Sequence, residues 1–201
     1  EGRCSTFDEL YQIAFLTGYE VMRPADQPRQ LMRCHALAID SGHRTDEVYE
    51  FAQRPGVTAV KGVQTADYIF RPSKIEHHPN GLPLLNPLTI ELVNTSYLKT
   101  YIGRLANLPA DHRSYWALHE ETREDYLEQF TNEHQVRRRV GPKTKKKWAL
   151  VWEPKTDGAP VDFLDAEVYG AALAQMCKVP LLREHTPKVG LMELPGAVKA
   201  K

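Results

Sequence analysis

Two acidic side chains stand where a reaction could be carried out. Asp40 closes the apolar run Cys34-His35-Ala36-Leu37-Ala38-Ile39-Asp40, and the point where a buried parallel strand runs out into a loop is where open α/β sheets place their ligands. Asp165 sits at the start of a helical stretch with Asp162 three residues before it, so these two carboxylates share one helical face while Glu167 points elsewhere. Taken singly, each has a plainer explanation: an Asp after a strand caps the following turn, and acids in a first helical turn complement the helix dipole. Brought together, Asp40, Asp165 and Asp162 would be hard oxygen ligands suited to Mg²⁺ or Mn²⁺. Two such ions about 4 Å apart generate hydroxide from water and stabilise the leaving 3′ oxygen of a phosphodiester. Spacing along the chain does not by itself make Asp40 and Asp165 neighbours.

Charge offers a partner for that chemistry. The 26 Lys and Arg balance 26 Asp and Glu, but in opposed blocks. From Asp111 to Glu133 there are seven acids and two Arg; from His134 to Trp148 there are seven cations and no acid, namely Arg137, Arg138, Arg139, Lys143, Lys145, Lys146 and Lys147. Such a block is either a solvated basic hairpin or a phosphate-binding surface. Beside a pair of metal-binding carboxylates it would hold DNA phosphates.

The elements that must position these groups read as α/β. Thr6-Phe7-Asp8-Glu9 has the form of a capping box ahead of a helix. A loop from Pro24 to Pro28 leads to the strand 34–40, expected to be buried on both faces. Thr45 is the expected N-cap of a helix bearing Val48, Tyr49 and Ala52, and 57–60 is a second strand, giving a parallel strand-helix-strand unit. Residues 64–87, rich in Pro, His, Asn and Gly, are expected to form a long excursion with little regular structure. A strand over 88–93 and an amphipathic helix through Tyr97, Leu98, Tyr101, Ile102 and Leu105 follow. An acidic helix over 120–130, a basic hairpin from 135–140 and 147–152, and a helix from Asp162 to Met176 complete the pattern, before a Pro-containing tail after Pro180.

Several functions are excluded. Cys4, Cys34 and Cys177 are odd in number and far apart, arguing against a disulfide framework or a structural zinc site. His77-His78 lacks zinc-ligand spacing, Ser41 lacks the nucleophile elbow, and the turn 40–45 has neither the Gly content nor the Gly-Lys-Ser/Thr ending of a P-loop. No apolar run approaches the ~18 residues needed to span a bilayer and the first residues are not a signal peptide, so a soluble intracellular domain is expected.

The motifs Ala38-Ile39-Asp40-Ser41-Gly42-His43-Arg44-Thr45-Asp46-Glu47-Val48-Tyr49, Ala59-Val60-Lys61-Gly62, Asn94-Thr95 with Leu98-Lys99 and Arg104-Leu105, Gln129-Phe130-Thr131-Asn132-Glu133, and Leu164-Asp165-Ala166-Glu167-Val168-Tyr169 occur in that order. From about Phe7 to Met176 the chain thereby resembles the nuclease domain of the large terminase subunit of lambda-type tailed bacteriophages. The resemblance implies a ribonuclease H-like nuclease fold, with a central mixed sheet flanked by helices that is expected to lack its first strands. It implies a metal-dependent endonuclease, with two Mg²⁺ or Mn²⁺ ions, that cuts concatemeric double-stranded viral DNA in the cytoplasm of the bacterial host, beside a small terminase subunit and a portal protein and away from any membrane. By motif, Asp40 and Asp165 are the catalytic carboxylates, Lys61 faces phosphate, and Glu133 matches a family Glu without a role that follows from its position. The expected layout is a partial nuclease domain over 1–178 and a C-terminal tail over 179–201. One departure is the further metal-binding Asp of the family's first strand, which has no counterpart here, since Asp8 and Glu9 lie on the opening helix. It keeps an alternative in view: a catalytically incomplete DNA-binding or assembly module of the packaging motor.

Overall fold

A computed structural model describes residues 4–21, 30–112, 114–116, 118, 121–142, 144 and 146–181. The expected capping box opens α1 (Phe7–Tyr11): Thr6 Oγ1 accepts from the Glu9 amide, and the Glu9 carboxylate reaches back to the Ser5 amide. A π-helical turn over Gln12–Leu16 continues it. β1 (Tyr19–Val21) and β2 (Gln30–Met32) then pair antiparallel; the loop expected from Pro24 to Pro28 between them lies outside the described residues.

The central sheet contains β3 (Leu37–Asp40), β4 (Val57–Val63), β5 (Phe70–His77) and β6 (Pro83–Asn94) in the order β3-β4-β6-β5. β3, β4 and β6 are parallel and β5 is antiparallel, so the sheet is mixed. Side chains alternate across it. On one face Ala59 and Ile90 pack beneath α2 (Thr45–Phe51), with Phe7 stacked on Phe51 at 4.9 Å. On the other, Val60 and Val93 meet Leu98 and Ile102 of α3 (Thr95–Ala106) and Val168 and Ala172 of α5 (Asp162–Met176). Burying each of these larger side chains contributes roughly 1.5–3 kcal/mol. Between α3 and α5 in sequence come α4 (Glu124–Thr131) and the hairpin of β7 (Glu133–Val140) with β8 (Lys147–Pro154). α4 is held on α5 by a Tyr126–Phe163 stack at 4.9 Å and by the Tyr126 hydroxyl donating to Glu167.

Four expectations change. The strand expected over 34–40 begins only at Leu37 and is half-buried, because among the described residues it pairs on one side only, with β4. Thr45 is not the N-cap: Arg44 holds that position at φ 51°, and the Thr45 hydroxyl donates to the Ser41 carbonyl instead. The stretch 64–87 is not irregular. It contains β5 and the start of the 12-residue β6. Pro72 masks the strand signal, yet β5 is the outer strand of the sheet, where a residue without an N–H is tolerated. The acidic helix is shorter than expected, beginning at Glu124. Within the tail, Val179–Leu181 forms a 3₁₀ turn and 182–201 lies outside the described residues. Among the described residues no helix is long and apolar enough to cross a membrane.

One sheet residue carries a latent charge. Glu91 of β6 has its Oε2 buried without a hydrogen-bond partner, in a groove also lined by His35 and Cys177, and burial raises its carboxyl above the usual range. Below the ordinary carboxylate value both folded and unfolded chains hold the proton. As pH rises, the unfolded chain releases it first, so this group subtracts stability through the raised value. Glu91→Gln should therefore raise the urea midpoint at pH 7 while leaving that at pH 4 nearly unchanged; a lower midpoint at pH 7 would show that the ionised carboxylate is favourable.

Candidate active site

The three parallel strands all end toward one edge of the sheet. β3 ends at Asp40, β4 continues past Val60 through Lys61 and Gly62, and β6 ends at Asn94, which caps α3 by accepting from the Tyr97 amide. The turn after β3 is fastened there: both the amide and the hydroxyl of Ser41 donate to the Val60 carbonyl, at 2.8 and 2.9 Å. Gly42 follows closely enough that a β-carbon there would lie 3.0 Å from Asp40 Oδ2. The Asp40 carboxylate is thus folded over its own turn while remaining exposed.

α5 crosses this edge. Its Tyr169 hydroxyl lies 3.5 Å from Asp40 Oδ1 and packs against the backbone of Gly62. A side chain at residue 62 would collide, since a β-carbon would stand 2.8 Å from that hydroxyl and 3.0 Å from Thr95 Cγ2. Burial above all, and then the charges of Asp40 and Asp165, push the Tyr169 phenol well above its usual range, with the Gly62 amide opposing. The group stays protonated at neutral pH and can donate to Asp40. Asp165 lies one turn earlier on α5, so the two carboxylates act on a common neighbour.

Asp165 has a second partner. Lys99 Nζ is 2.8 Å from Asp165 Oδ1 and forms a closer ion pair with Glu133. The lysine and Glu133 side chains are only 7% and 6% exposed, whereas Asp165 is 37% exposed. One cation between two carboxylates leaves a net negative charge, directed outward through Asp165. The same contact anchors the hairpin, because Glu133 is the first residue of β7; Gln135 and Trp152 add bonds to Thr100 of α3, each 3.3 Å.

The other expected site residues fall differently. Asp162 is exposed at the first position of α5. Among the described residues no three His, Cys, Asp or Glu side chains gather as a metal centre, so Asp162 does not complete a cluster with Asp40 and Asp165. Lys61 is exposed on the same sheet edge as Asp40. Arg137, Arg138, Arg139, Lys146 and Lys147 are exposed on the hairpin; Lys143 and Lys145 lie outside the described residues. His78 Nδ1 meets Asp46 Oδ1 at 2.7 Å rather than any second histidine. Lys99 and Tyr169 escaped a reading by residue type. Their signals were positional: a lysine between core residues Leu98 and Ile102, and a tyrosine four residues after Asp165.

The family model for the endonuclease domain of terminase large subunit gpA matches residues 14–186 of the chain. No curated protein and no solved structure matches it.

The Lys99–Glu133 pair gives a stability test. Removing one member leaves the other charged and buried, at a cost of about 3–5 kcal/mol. Lys99→Met and Glu133→Gln should each lower the unfolding free energy by about 3 kcal/mol, and the double variant by clearly less than their sum. Additive losses in urea unfolding would show that the two side chains do not interact.

Proposed function

The chain belongs to the family of terminase large subunit gpA endonuclease domains, and from that premise we propose that it cuts double-stranded viral DNA with Asp40 and Asp165 as its central carboxylates. The observation that carries this reading is Asp40 at the strand-end side of the sheet, 3.5 Å from the hydroxyl of Tyr169, with Asp165 one turn earlier on the same helix. The donor set fits a hard divalent cation: one exposed carboxylate, one half-exposed carboxylate, and no soft ligand beside them. Mg²⁺ characteristically binds through one or two protein carboxylates and completes its shell with water and substrate phosphate. When bound, Mg²⁺ or Mn²⁺ supplies Lewis acidity and charge neutralisation at the scissile phosphate. A second ion would take most of its ligands from the DNA.

The chain's own groups then divide the remaining work. Asp40 and Asp165 hold the cation. Lys99 fixes one oxygen of Asp165 and leaves the other available. Tyr169 orients Asp40 from below. Lys61 on the sheet edge and the hairpin cations hold phosphates, with Asp162 at the rim. From Glu133 to Arg139 the hairpin extends about 20 Å at 3.3 Å per residue, which reaches about six base pairs along a duplex at 3.4 Å each. The catalytic fold is read as ribonuclease H-like, and the work as cleavage of concatemeric DNA during packaging in the host cytoplasm, with a small terminase subunit choosing the site and a portal protein receiving the product.

A second reading is favoured by one observation, the lack of a third clustered carboxylate among the described residues. In it the domain binds DNA and assembles with the motor without cutting. The two separate cleanly in a plasmid-nicking assay with Mn²⁺. Endonuclease action predicts nicking by the chain and a loss of more than about 100-fold in both Asp40→Ala and Asp165→Ala, since even outer-shell changes at metal sites cost 10–100-fold. Equal nicking by all three proteins removes these residues from the mechanism. DNA binding that is indifferent to Mg²⁺ and falls steeply with salt, without nicking, supports the second reading.

A further inference from the structure

Trp148 stands on β8 with 57% of its surface exposed, although it is among the largest apolar side chains of the protein. The guanidinium carbons of Arg137 and Arg139 lie 5.2 and 5.7 Å from its ring centre. Strand register explains the grouping. Arg139 pairs with Trp148 and Arg137 with Leu150, which is itself 54% exposed, so these four side chains share one face of the hairpin. Arg138 points to the other face, where it meets Glu153 at 2.5 Å.

This face adjoins a groove of about 590 Å³ between the hairpin, the loop 64–67 and the first turn of α3. Leu150 and Lys147 line it from the hairpin. Ser96 lines it from the helix, its Oγ buried without a hydrogen-bond partner, beside the Tyr97 amide that Asn94 caps. The unpartnered hydroxyl can donate to a phosphate oxygen at that end. Asp67 also lines the groove and repels anions from the loop side.

Cations alone are enough to hold an intact duplex, whose bases are stacked and hidden. An exposed indole between two guanidiniums adds nothing there, but it gives an unpaired base a flat apolar surface on which to stack, with the phosphates on either side neutralised. We propose that this hairpin face binds a single-stranded or locally unpaired stretch of nucleic acid, Trp148 stacking on a base while Arg137 and Arg139 hold neighbouring phosphates. The inference rests on nucleic acid being the substrate and goes further, naming the state of the strand that the hairpin receives.

Fluorescence anisotropy of the 201-residue chain, with a labelled oligothymidylate and a labelled mixed-sequence duplex of equal length and no divalent ion, tests it. Trp148→Ala should weaken binding of the single strand about tenfold, the value of one lost stack, with duplex binding within about twofold of the parent. Trp148→Phe should recover most of the loss, and the single strand should quench tryptophan fluorescence in the parent but less in Trp148→Ala. Because Trp148 lies outside the core, urea unfolding of the variants should match the parent, which separates a binding defect from misfolding. Unchanged single-strand affinity in Trp148→Ala, or equal losses for both nucleic acids, overturns the proposal. If Arg137→Ala and Arg139→Ala weaken both ligands while Trp148→Ala weakens neither, DNA binding stands and the stacking site falls. If neither nucleic acid binds the parent at about 50 mM salt, both fall.

Discussion

A single buried ammonium group joins the parts of this molecule. Lys99 emerges from the core-facing side of α3 and ends between Glu133, where the hairpin begins, and Asp165, on the helix that crosses the sheet edge. Three elements distant in sequence therefore meet at one charge. Desolvating a lysine and a carboxylate costs several kcal/mol per ion, and the cost is offset only while both partners stay in place. The interaction is poor as a source of net stability and effective as a specifier: α3, α5 and β7 cannot slide past one another without leaving a charge buried and unpaired. Asp165 pays out its remaining lone pairs toward solvent, where Asp40 also lies.

The second constraint is close approach. The Tyr169 hydroxyl reaches Asp40 only because residue 62 carries no side chain. β4 thereby serves as a floor on which α5 rests, while Ser41 ties the turn after β3 to the same strand through Val60. Local turn chemistry and tertiary packing act on the same carboxylate from two sides. The hairpin contributes reach rather than precision. Its base is fixed by Glu133, and its cations and exposed indole lie farther out, where a nucleic acid backbone would pass.

Much of this was legible in the residues. The parallel strand-helix-strand unit around Asp40, the helix beginning at Asp162 and the basic hairpin all follow from hydrophobic period and turn residues, because each is a local pattern with a strong signal. β5 was hidden because Pro72 breaks the usual alternation, and nothing local says that the strand lies at a sheet edge where a proline does no harm. The burial of β3 was overestimated for a related reason: an apolar run shows that a strand is covered, not how many neighbours pair with it. Arg44 in the left-handed region took the capping place expected for Thr45, an outcome set by how the turn docks on β4. The pairing of Lys99 with Glu133 and Asp165 joins residues 34 and 66 positions apart, beyond the range of any spacing rule. Residue type marked Asp40 and Asp165 as chemically able; only the packing of α5 on the sheet brings Tyr169, one turn after Asp165, against Asp40.

The proposed chemistry requires that folding make Asp40 and Asp165 ligands of the same cation. Electron paramagnetic resonance of added Mn²⁺, which reads free and bound ion directly, measures this without reference to DNA or to turnover. A shared site gives saturable Mn²⁺ binding by the parent chain, competed by Mg²⁺ and weakened at least about tenfold by either Asp40→Asn or Asp165→Asn. Binding that survives both substitutions, or that is lost with one and untouched by the other, would contradict it.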